Sequence, residues 1–210
     1  MTSNALDYLV ERYNLNLDVK MPVRIEGEGE FVGREHILPA IFINLDFKIG
    51  AEIGVEKGLY SALLCEKIPG LKLYSIDAWE IYKGYRENLT QSRMDRLCEQ
   101  ARERLAPYNC EIIKKFSMEA VKDFEDGSLD FVYIDGAHDF QSVTNDIVEW
   151  QKKVRIGGII SGHDYRKHNP HKAYVCDVKY VVQAYTYARG MRPWFIVMGN
   201  RSPSWFWIKG

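Results

Sequence analysis

The segment Lys48-Ile-Gly-Ala-Glu52-Ile-Gly54-Val-Glu-Lys-Gly58 constrains the fold most tightly. An apolar strand runs into a turn punctuated by glycines, and a second apolar run, Leu71 to Ile76, ends on Asp77. A ligand comes nearest to backbone where Cβ atoms are absent, so Gly54 and Gly58 leave room and the turn's amides face what binds there. Asp77 stands 23 residues after Gly54, where an acidic side chain can accept the hydroxyl protons of a ribose. Together these features predict a βαβ unit that receives a nucleoside. The dinucleotide fingerprint Gly-x-Gly-x-x-Gly is not met, because Glu52 takes the place of its first glycine. A carboxylate there repels phosphate and suits a cationic ligand.

Strand-like runs recur between helical segments: Lys48 to Ile53, Leu71 to Ile76, Glu111 to Ile113, Leu129 to Ile134, Gly158 to Ser161, Trp194 to Met198 and Trp205 to Ile208. Such alternation predicts a doubly wound α/β fold with a mostly parallel, seven-stranded, Rossmann-like sheet. Only Gly199 to Pro203 joins the last two runs, too little for a crossover, so they should form an antiparallel hairpin. Phe140, Val143, Ile147 and Trp150 make one apolar helical stripe that reads as core packing. A further helix is expected from Ser92, as N-cap, to Leu105, stopped by Pro107. Residues 1–46 show no clear period and read as an N-terminal extension or cap over the ligand crevice, leaving 47–210 as the principal domain.

At 210 residues and 46% hydrophobic, the chain can bury a substantial core. Its 28 basic and 29 acidic residues include no long run of one sign, which argues against an obligatory nucleic-acid partner. Cys65, Cys98, Cys110 and Cys176 are scattered, with no Cys-x-x-Cys pair, and read as thiols of a reducing compartment. No stretch approaches the roughly 20 apolar residues of a membrane span. The expectation is a cytoplasmic protein with no membrane partner.

With the turn at Gly54, Asp77, the run Asp130-Phe-Val-Tyr-Ile-Asp135-Gly-Ala-His138, the run Gly157-Gly-Ile-Ile-Ser-Gly-His163-Asp164-Tyr165 and the terminal hairpin, residues 46–210 resemble class I S-adenosylmethionine-dependent methyltransferases. They look most like small stand-alone domains related to macrolide-sugar and catechol-type O-methyltransferases. The resemblance implies that Glu52 and Gly54, beside Gly58, hold the donor's amino-acid part and that Asp77 takes its ribose. Phe116, Ser117 and Met118 would flank the adenine, although Ser117 also reads as the N-cap of the helix that follows. The Asp-x-x-His pattern implies Asp135 as a catalytic, cofactor and metal residue and His138 as the catalytic base. Asp135 and Asp164 would bind Mg²⁺ or another divalent metal. His163 stands where the family has a carboxylate, and as a third ligand it would favour softer ions.

The acceptor expected on this basis is a hydroxylated small molecule or sugar, and a homo-oligomer is compatible with the sequence. Plainer readings stand beside several residues. Asp135 can cap its own turn, His138 can order the turn into the next helix, Asp130 can simply face solvent, and His168 and His171 can lie on a solvated loop. Aromatic residues from Trp79 to Tyr85 look like a substrate lid but more often serve packing. Of Trp205, Phe206 and Trp207, two should enter the core or an interface. Rival functions are an aminopropyl transferase-like enzyme, a non-catalytic S-adenosylmethionine-binding module and a nucleic-acid methyltransferase. The last lacks a basic surface and an Asn-Pro-Pro-Tyr-type motif.

Overall fold

The computed structural model describes residues 5–27, 33–81, 90–168, 175–199 and 202–210. In chain order the elements are α1 (Ala5–Tyr13), β1 (Val23–Ile25), α2 (Arg34–Asn44), β2 (Ile49–Ile53), α3 (Leu59–Lys67), β3 (Lys72–Asp77), α4 (Gln91–Leu105) and β4 (Cys110–Lys114). There follow α5 (Ser117–Ala120) with a 3₁₀ turn, β5 (Leu129–Ile134), α6 (Phe140–Lys153), β6 (Val154–Gly162), α7 (Val178–Ala188), β7 (Phe195–Val197) and β8 (Ser204–Ile208).

All the strands join one sheet in the order β1-β7-β8-β6-β5-β2-β3-β4. Its central pairs are parallel, whereas β8 runs antiparallel to both β6 and β7, as the short final connection requires. The seven expected strands are present. The eighth, β1, comes from the residues before 47 and pairs in parallel with β7.

Apolar runs in the central strands arise because both faces of the sheet are covered. Along β5, Val132 and Ile134 pack against α6 and α7 with Trp150, while Phe131 and Tyr133 pack on the opposite side with Phe42 of α2 and Tyr60 of α3. The last strand obeys the same rule: Trp205 and Trp207 enter the first layer and Phe206 the second, so all three aromatics are buried, where the sequence led us to expect two.

Helix ends depart from expectation in instructive ways. Thr90, not Ser92, caps α4, its hydroxyl accepting from the Arg93 amide. Asp139 caps α6 through the Ser142 amide, leaving Phe140 in the first turn and 53% exposed, so the buried stripe begins at Val143. Ser117 does not cap α5; Phe116 takes that position with no side-chain bond, and the Ser117 hydroxyl turns inward. Asp130 does not simply face solvent either: it accepts from the Lys48 and Ile49 amides at 2.7 and 2.8 Å and pairs with Arg155. Among the described residues no helix is long and apolar enough to cross a membrane.

Candidate active site

From β2 the chain proceeds to β3 and β4 on one side, and from the adjacent β5 to β6 on the other. Crossover segments diverge at such a reversal and open a crevice beyond the carboxyl ends of the strands. A cavity of about 610 Å³ lies there, lined by Glu52, Gly54, Asp77, Phe116, Ser117, Met118, Asp135, His138 and Asp164 among others.

Gly54 makes the crevice. Its φ is 90°, a left-handed conformation, and a Cβ would fall 2.3 Å from the Asp135 carbonyl oxygen. The two strand ends are stitched there, with the Gly54 amide donating to Ile76 at 2.8 Å and the Asp135 amide to Ile53 at 2.7 Å. Asp77 organises the turn that follows: Oδ2 accepts from the Val55 and Glu56 amides at 2.9 and 3.0 Å, and Oδ1 from the Trp79 amide at 2.9 Å. With two amides already on Oδ2, it is Oδ1 that keeps a further acceptor site for a ligand hydroxyl. Gly58 lines a different contact: a Cβ there would meet Ala101 and Leu105 of α4 at 3.3 Å, so this glycine admits helix packing rather than ligand.

At the cavity floor, Glu52 is 2% exposed and accepts from Ser61. Burial pushes its carboxyl up to about 8, against the lowering effect of Ser61. Across the cavity, Phe116 is partly exposed, a face on which a flat base can stack. Ser117 donates to Asp146 and accepts from the Trp150 indole at 2.8 Å. Asp146, buried on α6, is also pushed up to about 7 by burial. Sequence reading missed it because an acid inside a helix is ordinarily a surface residue.

Asp135, His138 and Asp164 converge at the outer part of the cavity, their candidate ligand atoms all within 4.8 Å of one another. His138 Nε2 lies 3.1 Å from Asp164 Oδ2 and 3.9 Å from Asp135 Oδ1. Each carboxylate offers its other oxygen to an arginine: Asp135 to Arg34 at 2.8 Å, Asp164 to Arg166 at 3.0 Å. Burial would raise the Asp164 carboxyl, but His138 and the bond from Arg166 outweigh it and hold it below the usual range. His163 stands apart from this trio. It continues the line of β6, its amide donating to Ile134, and its Nδ1 lies 3.0 Å from the Ser204 hydroxyl of β8. Asp164 then turns at φ 54°, and it is Asp164, not His163, that joins Asp135 and His138.

His168 accepts from the Cys176 amide at 3.3 Å; His171 and residues 82–86 of the expected lid lie outside the described residues. Arg34, unread in the sequence, crosses from α2 to lie over the Tyr60 ring at 4.5 Å and to donate to both Tyr133 and Asp135.

Residues 51–165, more than half of the chain, match the family model described as "Methyltransferase domain". The chain belongs to this family. The class I S-adenosylmethionine-dependent methyltransferase resemblance read from the sequence is thereby upheld. Solved structures of the same fold include an O-methyltransferase family protein from Burkholderia thailandensis (TM-score 0.61, 12% identity, covering 84% of this chain and 55% of that one). They also include TomG of Streptomyces achromogenes, an O-methyltransferase of tomaymycin synthesis, with SAM (0.59, 15%, 100% and 92%). A third is the Bacillus cereus O-methyltransferase with SAH (0.58, 15%, 100% and 92%). The methyltransferase thus spans about half the length of the first and nearly all of the other two. Comparison with curated protein sequences gave no match. Arg34 lies before the family-matched span, whereas Gly54, Asp77, Asp135, His138 and Asp164 lie within it.

Proposed function

We propose that the methyltransferase transfers the methyl group of S-adenosylmethionine to a hydroxyl of a small molecule or sugar. The observation that carries this reading is the placement of His138 between Asp135 and Asp164 at the mouth of the cavity that holds Gly54 and Asp77. When bound, the cofactor supplies a methyl group on a sulfonium sulfur, ready for in-line displacement. Glu52, in reach of the cavity, loses its proton as an ammonium group arrives and pairs with it. Asp77 accepts from a ribose hydroxyl through Oδ1 while its Oδ2 keeps the Val55 and Glu56 amides in place. Phe116 and Met118 cover the adenine, and Ser117 with Asp146 meets its polar edge.

At the outer end, His138 takes the proton of the acceptor hydroxyl through Nε2. The two carboxylates stabilise the imidazolium that results, and general-base assistance of this kind contributes about 10²–10⁴-fold. Asp135 Oδ1, Asp164 Oδ2 and His138 Nε2 form an oxygen- and nitrogen-donor set that suits a divalent ion, and such an ion would acidify a coordinated hydroxyl. In that case His138 would serve as a ligand to the ion rather than as the base. The residues before 47 serve as a cap whose Arg34 sets the charge around Asp135.

The test is calorimetric titration of S-adenosylhomocysteine into the wild type and Asp77→Ala, with Mg²⁺ and after chelation, followed by acceptor screening with His138→Ala. Binding lost in Asp77→Ala and turnover reduced by about 10²-fold or more in His138→Ala support the reading. Wild-type protein that fails to bind the homocysteine product under every condition overturns it. Binding without transfer to any hydroxylated acceptor would favour the non-catalytic module, and donor preference separates an aminopropyl transferase.

A further inference from the structure

Asp146 is a carboxyl in a setting that gives a charge no support. Its neighbours on the buried face of α6, Val143, Ile147 and Trp150, are apolar, and it is itself 4% exposed, yet it lines the cofactor cavity. Among the described residues no Lys, Arg or His forms an ion pair with it. The charged group that acts on it is Asp139, the N-cap of α6, and that charge is of like sign. A buried carboxylate without a cation is costly, so Asp146 keeps its proton up to about 7 although the bond from Ser117 works the other way.

The neighbours also fix which oxygen carries that proton. An indole nitrogen can only donate, and the Trp150 indole donates to the Ser117 oxygen at 2.8 Å. The Ser117 hydrogen is thereby directed to Asp146 Oδ1, which makes Oδ1 the carbonyl-like acceptor and leaves the proton on Oδ2. Oδ2 has no protein partner among the described residues, and it lies beside Gly136, where an added Cβ would stand 3.9 Å from it. Gly136 lines the same cavity. A bound molecule therefore meets an O–H donor next to an oxygen that still has one acceptor position free.

We propose that Asp146 selects the base of the methyl donor, with Oδ1 accepting from the exocyclic amino group of adenine and Oδ2 donating to the ring nitrogen beside it. The inference rests on the donor reading above and deepens it from a flat base to adenine in particular. Adenine offers an amino donor next to a bare ring nitrogen, the complement of what Asp146 presents. Hypoxanthine, with a carbonyl oxygen in place of the amino group, sets oxygen against Oδ1 and leaves buried acceptors unpaired, which a site built to hydrogen-bond rejects. Stacking on Phe116 is indifferent to that exchange, because every base has a π-face.

Ionisation removes the Oδ2 donor. A carboxylate accepts from the amino group of adenine and equally from the N1–H of hypoxanthine, so discrimination between the two bases shrinks as pH rises through about 7. Glu52, raised to about 8, titrates in the same range. It faces the amino-acid end, which both ligands share, and its effect cancels in the ratio of their dissociation constants.

The experiment titrates S-adenosylhomocysteine and its deaminated counterpart, S-inosylhomocysteine, calorimetrically into the full chain at about pH 6 and about pH 8, as wild type, Asp146→Asn and Asp146→Leu. The wild type should prefer the adenine ligand by about 10- to 100-fold at the lower pH, the loss of the paired bonds, and that preference should shrink by about 3- to 10-fold at the higher. Asp146→Asn offers the same oxygen and an N–H in place of the O–H, so it should keep a preference for adenine that no longer changes with pH. Asp146→Leu should bind both ligands with similar affinity at either pH, and circular dichroism checks that it is folded; if it is not, the Asp146→Asn profile decides. Equal affinity of the wild type for both ligands at the lower pH overturns base selection. So does a loss in Asp146→Leu that is the same for both ligands, which is what mere support of Ser117 would give. A wild-type preference that is independent of pH overturns the role of Oδ2 as donor. Wild-type protein that binds neither ligand at either pH brings down the donor reading and this inference with it, whereas binding without discrimination leaves the donor reading standing and removes this inference alone.

Discussion

Replacing Gly54 by alanine tests whether close backbone approach, rather than turn flexibility alone, builds the crevice. The natural reference is Gly70→Ala. Gly70 also has a left-handed φ, 75°, but an added Cβ there meets nothing within 4 Å. Gly70→Ala therefore carries only the conformational cost of a side chain in the left-handed region, about 1–2 kcal/mol. Gly54→Ala carries a similar strain, at φ 90°, together with a Cβ 2.3 Å from the Asp135 oxygen and 2.6 Å from the Gly136 Cα. These are backbone atoms held by strand pairing and cannot swing aside, so overpacking adds about 1–3 kcal/mol. The gain from stiffening the unfolded chain is common to both variants and cancels in the difference. At about 2–4 °C per kcal/mol for a chain of this size, the Gly54 variant should melt about 2–12 °C below the Gly70 variant. Differential scanning calorimetry measures this directly. Homocysteine-product binding should fall in the first variant and persist in the second. Equal melting temperatures, or unimpaired binding in Gly54→Ala, would refute the reasoning.

Stability should fall as pH rises from about 4.5 to about 8, because folded Glu52 keeps a proton that the unfolded chain releases in that window; Asp146, raised to about 7, acts in the same sense. Glu52→Gln removes Glu52's share, so its melting temperature should gain on the wild type through the window and stay level above it; a difference independent of pH would contradict the assignment. Arg34→Ala removes an ion pair at 2.8 Å and packing over Tyr60. Both partners are partly exposed, so urea unfolding should show a loss of about 2–4 kcal/mol, below that for a fully buried pair. Asp135→Asn in the same background should then add little, and full additivity would show the pair to be unimportant. Ser117→Ala leaves the Trp150 indole without its acceptor and Asp146 without a donor, and should lower stability by about 1–3 kcal/mol in the same assay.

The sheet was largely legible because its central strands are apolar on both faces, so Leu129 to Ile134 and Trp205 to Ile208 stand out against polar helices. β1 was not: three residues, Val23-Arg24-Ile25, are too few to show a period, and its partner β7 lies at the far end of the chain. Gly54 and Asp77 were readable from spacing, since a βαβ unit fixes where its turn and second strand end. The His163 geometry was not, because it depends on Asp164 adopting a left-handed φ that no non-glycine side chain announces. Arg34 was invisible for a different reason. An arginine in an unpatterned segment is ordinarily solvated, and it is the rings of Tyr60 and Tyr133, with the Asp135 carboxylate, that make its path inward favourable.

The guanidinium beside Asp135 is delivered by a helix that precedes the family-matched span. The charge at the outer pocket is therefore set in part from outside the span that carries Gly54, Asp77, Asp135, His138 and Asp164. Two proteins with the same strand-end residues and different leading segments would differ in the charge their acceptor meets. An exchange of N-terminal segments between relatives would accordingly change the charge beside Asp135 while leaving Gly54 and Asp77 in place.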